Sequence, residues 1–169
     1  SGGGWRPTGD AVDILDPRVD YLVLFTHGAD AATQKDVFGA RLTGSGLPRG
    51  TLFPVIDNPD VDEYAPFLLA TTFGINGSDA YNLLLFNRDD ATNGPEVVLQ
   101  RLRSNGAGVG PERIVGGGMG AQLAAAATVL VDNQWLVVWQ DDASGNADIM
   151  STKVRVNGIP LPPGRTLVT

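Results

Sequence analysis

The chain has 169 residues, 43% of them hydrophobic, and carries a net charge of −7 without any cysteine. This length and composition indicate one globular domain, and the missing cysteines exclude disulfides, thiolate metal ligands and cysteine nucleophiles. Because the twelve basic residues are scattered and the longest apolar run, 123–131, is too short for a membrane-spanning helix, we expect neither nucleic-acid binding nor membrane insertion.

The first ten residues have the composition of a leader. They open with Ser1-Gly2-Gly3-Gly4 and include Trp5. A glycine-rich segment of this kind is flexible, and it is either native to the protein or a tag remnant. Trp5 is an apolar anchor that could dock into another subunit. We therefore predict a flexible or docking leader over 1–10 and a single all-β repeat domain over 11–169.

From residue 11 onward the chain repeats one pattern three times. Each copy has a short apolar run, a polar turn, and a second run in which an acid is followed five residues later by a cation. A glycine stands four places after the end of each second run. The first runs are 22–25, 83–86 and 136–139, the second runs are 36–42, 96–102 and 148–154, and the glycines are Gly46, Gly106 and Gly158. Each pair of runs predicts a β-hairpin whose first strand is buried on both faces.

Two more strands flank each hairpin. Apolar segments precede the hairpins at 11–15, 64–72 and 121–131 and follow them at 51–56, 112–115 and 165–169. Prolines in the downstream segments fit the edge of a sheet. Residues 122–127 have high helix propensity, but their counterparts do not, so we predict an innermost strand there rather than a short helix. Four antiparallel strands per copy make a β-propeller blade, which predicts three blades over about 11–57, 64–116 and 121–169.

The third copy resembles a repeat of large secreted and cell-surface bacterial proteins. The similarity lies in the strand Trp135 to Trp139, the Asp-rich turn with Gly145-Asn146, the opening Asp148-Ile149 and the turn Asn157-Gly158. Tyr21 to Leu42 is similar to another common sequence variant of this repeat, whereas the second copy departs from the repeat with Phe86-Asn87-Arg88. The resemblance covers most of the chain from Ala11 onward. It implies propeller-like β-domains at an extracellular or cell-surface location, and it assigns no activity.

Candidate catalytic groups are sparse. His27 is the only histidine, and Arg88 and Asp141 take its place in the other copies. We interpret it as a variable turn residue rather than a general base. The sequence has no phosphate-binding loop, zinc motif or nucleophile elbow. We therefore predict no catalytic residue and, calcium apart, no cofactor.

The turn of the third copy is rich in oxygen-bearing side chains. It contains Asp141, Asp142, Asn146 and Asp148. Calcium requires six to eight oxygen ligands, and such a turn supplies several. Two interpretations stay open: a calcium site, or a hairpin turn held by side-chain to backbone hydrogen bonds. The first copy, with fewer acids, favours the turn.

An acid and a cation recur in every second run. The pairs are Asp36 with Arg41, Glu96 with Arg101, and Asp148 with Lys153. The members of a pair are an odd number of residues apart, so in a straight strand they face opposite sides of the sheet. We predict that these residues pair between neighbouring blades and fix the blade register. The alternative is a site for a carboxylate ligand or a sugar.

The tryptophans have two predicted roles. Trp139 aligns with Phe25 and Phe86, which indicates packing between blades. Trp135 begins its strand, and we predict that it is exposed and, like Trp5, contacts a ligand or another subunit.

Three blades leave a propeller open, because propellers close with four to eight. The apolar end faces must be covered, either by oligomerisation into a ring or filament or by further blades of a larger array. We therefore predict a non-catalytic extracellular module for structure, recognition or adhesion that self-associates through its terminal blades. A glycosylation sequon at Asn76 agrees with export. Two alternatives are a propeller that binds surface carbohydrates and a fragment of a propeller hydrolase.

Overall fold

A computed structural model of the chain describes residues 21–28, 34–70 and 81–161, together with the backbone of 165–168. The described strands are β1 Tyr21–His27, β2 Asp36–Leu42, β3 Phe53–Ile56, β4 Glu63–Leu69, β5 Asn82–Asp90, β6 Gly94–Leu102, β7 Gly108–Gly116, β8 Gln122–Val129, β9 Gln134–Asp141, β10 Asp148–Arg155 and β11 Arg165–Val168. The predicted strand over 11–15, Trp5 and the sequon at Asn76 lie outside the described residues. Within the described ranges, no helix is long and apolar enough to cross a membrane.

The strands form three antiparallel sheets, each in chain order. Blade 1 consists of β1 to β3, blade 2 of β4 to β7 and blade 3 of β8 to β11. The predicted hairpins are present, with Leu83 opposite Arg101 and Leu136 opposite Lys153. The two described prolines of the downstream strands, Pro54 in β3 and Pro111 in β7, lie in edge strands, where a missing backbone donor costs least. These features confirm an all-β fold of antiparallel, propeller-like blades.

The hydrophobic core lies between the blades rather than within them. One cluster joins blade 1 to blade 2 through residues such as Leu22, Leu84 and Phe86. A second cluster joins blade 2 to blade 3 through residues such as Leu85 and Trp139. The run 83–86 of the middle blade is therefore buried on both faces, as predicted, because a blade covers each face. Face-to-face stacking of sheets is how a propeller buries apolar surface.

The first strands of blades 2 and 3 share one bulge. Ala65 in β4 and Ala124 in β8 both have a φ of 52°, and the strand register shifts at both places. The alanine run of β8 is therefore strand, which confirms the prediction against a helix. Glu63 and Gln122 each stand two residues before the bulged alanine and open their strands. Each side chain accordingly lies where the first strand of its blade begins, and the two positions are equivalent in blades 2 and 3.

Candidate functional site

Glu63 is a buried carboxyl at the first position of β4. The residue is 0% exposed. Its Oε2 accepts a hydrogen bond from the backbone N–H of Asn58 at 3.2 Å, whereas its buried Oε1 has no hydrogen-bond partner in the described part of the chain. Burial raises the pKa of Glu63 to about 7, since a charged carboxylate is poorly solvated there. A carboxyl with this pKa can both donate and accept a proton near neutral pH.

Charged side chains from several strands surround Glu63, and we call the group of Asp36, Glu63, Arg88, Glu96 and Glu112 the acidic cluster. Arg88 of β5 is the strand neighbour of both Glu63 and Glu96. Its guanidinium pairs with Glu96 at 3.3 Å and with Glu112 of β7 at 3.0 Å. The charge of Glu112 raises the pKa of Glu63, and the charge of Arg88 lowers it. Arg88 thus pairs with two carboxylates of blade 2 and acts through its charge on a third carboxyl, that of Glu63.

Asp36 brings blade 1 into the acidic cluster. Burial raises its pKa, and the charges of Asp57 and Asp62 add to the effect, while His27 opposes it. Its Oδ1 is buried and has no hydrogen-bond partner among the described residues. The charge of Asp36 also raises the pKa of Glu63. The cluster therefore lies at the junction of blades 1 and 2, where the charge of Asp36 disfavours the ionisation of Glu63.

Backbone and side-chain hydrogen bonds anchor the segment that leads into Glu63. The Glu63 N–H donates to the carbonyl of Lys35 at 2.7 Å. The Lys35 N–H donates to Asp62 Oδ1 at 3.1 Å, and the Lys35 ammonium pairs with the same carboxylate at 3.4 Å. Gln34 Nε2 donates to the carbonyls of Asn58 and Val61. These contacts tie the segment before β4 to blade 1 and fix the position of Glu63.

Gln122 occupies the place of Glu63 in blade 3. It is also 0% exposed, and its Oε1 has no hydrogen-bond partner among the described residues. Asn87 Nδ2 donates to the Gln122 carbonyl at 2.6 Å, which links blade 2 to blade 3. The fold therefore accepts a buried amide at this position. Blades 2 and 3 are the two whose first strand is described at this position, and of these only blade 2 has an ionisable side chain there.

The acidic turn of blade 3 uses its oxygens in local hydrogen bonds. Asp141 Oδ1 accepts from the Ala143 N–H at 2.9 Å, and Asp148 Oδ2 accepts from Ser144 Oγ at 3.0 Å. Asp142 Oδ1 accepts from the Ala121 N–H. In the part of the chain that the structure describes, no group of three or more His, Asp or Glu residues is placed to hold a metal ion. Calcium binding by Asp141, Asp142, Asn146 and Asp148 stays a prediction.

Two of the recurring cations, Arg41 and Arg101, connect neighbouring blades, but they contact backbone carbonyls rather than the predicted acids. Arg41 Nη2 donates to the carbonyl of Asn105 at 2.7 Å, in the turn between β6 and β7. Arg101 Nη1 donates to the carbonyl of Val156 at 3.5 Å, in the turn after β10. Each arginine thus reaches from its own blade to a turn of the next blade along the chain.

Two of the predicted acid partners, Glu96 and Asp148, bind inside their own blades. Glu96 pairs with Arg88, Asp148 accepts from Ser144, and Asp36 is the strand neighbour of His27. Lys153 pairs with Asp132 of blade 3 at 3.8 Å. Among the described residues, none of the predicted acid–cation pairs between blades is formed. Acid and cation stand five residues apart in an extended strand, so they lie at opposite ends of the blade.

Two aromatic predictions have different outcomes. Trp139 packs in the core between blades 2 and 3, which confirms its predicted role. Trp135 is 0% exposed and packs in the same cluster, so its predicted exposure is wrong: it lies on the same strand face as Val137 and Trp139. His27 is exposed and contacts the ring of Phe38 edge-on at 4.8 Å.

The sequence reasoning missed Glu63 because it placed that residue in a variable loop. A signal was present. Glu63-Tyr64-Ala65 aligns with Gln122-Leu123-Ala124 when the copies are matched at the start of the first strand. A carboxylate that replaces an amide at a repeated, buried position would have drawn attention to blade 2.

Comparison with known proteins supports the fold. No protein-family model matches this chain, and no curated protein sequence matches it significantly. Among solved structures, the chain is similar to the endo-arabinase from Bacteroides thetaiotaomicron VPI-5482, a five-bladed propeller, with a TM-score of 0.56 and 15% sequence identity. The match covers 91% of this chain and 63% of the endo-arabinase chain. At this identity the likeness shows a propeller-like fold and no more.

Proposed function

We propose that this chain is a three-bladed part of a propeller hydrolase that acts on glycans, with Glu63 as its general acid. The observation that carries the proposal is the buried carboxyl of Glu63, whose pKa of about 7 suits proton donation near neutral pH. The likeness to an endo-arabinase supports this alternative over the non-catalytic module that the sequence favoured.

Hydrolysis of a glycosidic bond requires one carboxylic acid and one carboxylate. In the proposed reaction, Glu63 gives its proton to the glycosidic oxygen as the bond from that oxygen to the anomeric carbon breaks. A second carboxylate takes a proton from the water that attacks the anomeric carbon. Glu112 is the candidate for this role, because its charge acts on Glu63 and Arg88 pairs with it at 3.0 Å. Arg88 and Asp36 then act as positioning residues that set the protonation of Glu63.

The burial of Glu63 sets a requirement on substrate binding. Its Oε1 is closed to solvent, so a glycosidic oxygen reaches it only where the surrounding side chains give way. The closed site would keep bulk water from the proton donor and preserve its raised pKa. The proposed acid is therefore one that substrate binding must uncover.

The test is an assay of reducing-sugar release from arabinose polymers, the class that the neighbour's name indicates, and from a panel of other polysaccharides. Glu63→Gln is the decisive variant, since blade 3 carries glutamine at the matching position and the fold accepts it. We expect it to lower kcat by at least about 100-fold, the usual contribution of a general acid. Glu112→Gln should also reduce kcat, whereas Gln122→Asn should not.

Two results would refute the proposal. One is the absence of hydrolysis of every glycan by the unaltered chain, and the other is an unchanged kcat in Glu63→Gln. If the proposal is refuted, calorimetry with the same glycans distinguishes the two remaining hypotheses. Binding without cleavage would favour the carbohydrate-binding alternative, and absence of binding would favour the structural module.

A further inference from the structure

We propose that the two ends of the three-blade stack are complementary halves of one joint, through which a second copy of this chain docks its blade 1 onto the open face of blade 3. The proposal rests on a contact that the chain makes twice between its own blades. It does not depend on the chemistry of Glu63.

The first half of the joint is a turn that all three blades share. It begins at Thr43, Arg103 and Arg155, and in each case the N–H of a glycine three residues later donates to the carbonyl of the first residue, at 2.8, 2.9 and 2.8 Å. The glycines Gly46, Gly106 and Gly158 have φ values of 81°, 86° and 81°. Such left-handed values favour glycine, which explains why it recurs there. Blade 1 therefore presents the same backbone shape as blades 2 and 3.

The second half is the cation on the neighbouring blade. A Cβ on Gly158 would lie 3.3 Å from Arg101 Nε, and a Cβ on Gly106 would lie 2.7 Å from the Phe53 ring of blade 1. In both cases the glycine turn rests against the preceding blade, whose arginine donates to a carbonyl of the same turn. Turn and cation thus form a repeated joint between consecutive blades.

At the two ends of the stack, each half of the joint is open. A Cβ on Gly46 would meet none of the described atoms within 4 Å. Lys153, which follows Arg41 and Arg101 in the repeat, has a side chain that is 52% exposed and contacts only the exposed Asp132 among described ion pairs. Among the described residues, nothing occupies the turn of blade 1 and the cation of blade 3 holds only a surface ion pair, so these two groups suit the same contact with each other.

The apolar surfaces at the two ends agree with this pairing. In blade 3, Trp135 and Val137 face blade 2, so strand alternation turns Leu136 and Val138 to the open face. In blade 1, Leu22 and Leu24 face blade 2, so Val23 and Phe25 are turned to the opposite face. These outward residues are only half-buried. In blade 2, the counterparts of Val23 and Phe25 are Leu84 and Phe86, those of Leu136 and Val138 are Leu83 and Leu85, and all four are fully buried. The exposed area of the outward side chains in blades 1 and 3 is the area that a neighbouring blade would cover.

Two blades of one chain cannot close this joint, because blade 2 separates blades 1 and 3. Two copies joined head to tail at both ends form a six-bladed ring with twofold symmetry, within the four to eight blades usual for propellers. In that ring Lys153 of one copy donates to a carbonyl next to Gly46 of the other. Every blade then has a neighbour on each face.

The experiment uses cysteine trapping, since the chain has no cysteine of its own. Ser45→Cys is placed in one sample and Lys153→Cys in another. Under mild oxidation, the mixture of the two variants should give a disulfide-linked pair, and each variant alone should give none, because the joint unites unlike ends. Light scattering of the unaltered chain should show twice the 17.7 kDa of one chain at about 100 µM, a concentration that detects even weak dimers.

Substitution of Lys153 provides the quantitative test. Lys153→Glu should raise the dimer dissociation constant by at least about tenfold, because a carboxylate repels the carbonyl oxygen. Lys153→Arg should preserve it, since arginine fills this place in the other two blades. A monomer at about 100 µM, a cross-link in either single-variant sample, or an unchanged dissociation constant in Lys153→Glu would overturn the proposal. Circular dichroism establishes that each variant is folded.

Discussion

Replacing Glu63 by glutamine should make the protein more stable above neutral pH. Burial raises the pKa of this carboxyl from 4.5 to about 7, so the folded state holds a proton that the unfolded state has already released. The unfolding free energy of the unaltered chain therefore falls as pH rises from about 4.5 to about 7. Below that window the group is protonated in both states, and above it the full cost of burying the charge remains.

The size of the effect follows from the pKa difference. At 1.36 kcal/mol per pKa unit, the difference between 4.5 and about 7 corresponds to about 3 kcal/mol. Glutamine cannot ionise, so Glu63→Gln removes this loss. The variant should match the unaltered protein near pH 4.5 and exceed its unfolding free energy by up to about 3 kcal/mol at pH 8.

Urea unfolding followed by circular dichroism, repeated from pH 4 to pH 8.5, measures the difference. Gln122→Glu is the matched control, because it places a carboxyl at the equivalent position of blade 3 and should introduce a pH dependence of the same sign. Equal pH profiles for Glu63→Gln and the unaltered chain would show that Glu63 is solvated and would refute the reasoning. Greater stability together with lost hydrolysis would indicate a residue kept for activity at a cost in stability.

Three further predictions concern the joints, the core and the acidic cluster. Gly106→Ala should lower the unfolding free energy by about 2–4 kcal/mol, because the new Cβ is strained at a left-handed φ and lies 2.7 Å from the Phe53 ring. The control Gly145→Ala has the same φ strain but open space around it, and should lower the unfolding free energy by about 1–2 kcal/mol. Equal losses in urea unfolding would contradict the docked turn. Leu84→Ala, which empties a 0% exposed site between blades 1 and 2, should cost about 3 kcal/mol, and Val131→Ala, 107% exposed, should stay within about 0.5 kcal/mol. Arg88→Met should raise the pKa of Glu63 further, because the guanidinium charge lowers it; titration of the Glu63 carboxyl by NMR checks this, and an unchanged midpoint would exclude the acidic cluster as a coupled unit.

The strands were predictable because their signals are local. The run 83–86 is apolar at every position and bounded by polar turns, so only a strand buried on both faces fits it. The glycines that follow the second strands mark turns that need a left-handed φ, and all three have one. Repetition resolved the one ambiguous segment, since the alanine run of β8 matched strands in the other copies.

The candidate site was not predictable in the same way. Glu63 follows a turn-rich stretch, and its sequence neighbours do not indicate that it is buried. Its pKa is raised because segments from blades 1 and 2 close around it, which depends on residues as distant as Asp36 and Glu112. Arg41 and Arg101 do contact the next blade, but their partners were not predictable: these are backbone carbonyls, which carry no sequence signature.

The sequence by itself thus determined the strands, their hairpins, the positions of the glycine turns and the threefold division into blades. These features depend on apolar periodicity and on turn chemistry within about ten residues. Only the tertiary structure decided that Trp135 is buried, that burial raises the pKa of Glu63, and that the turns of blades 2 and 3 dock on the arginine of the preceding blade. Burial and charge depend on which blade covers which face, and that is set by packing between segments far apart in the chain.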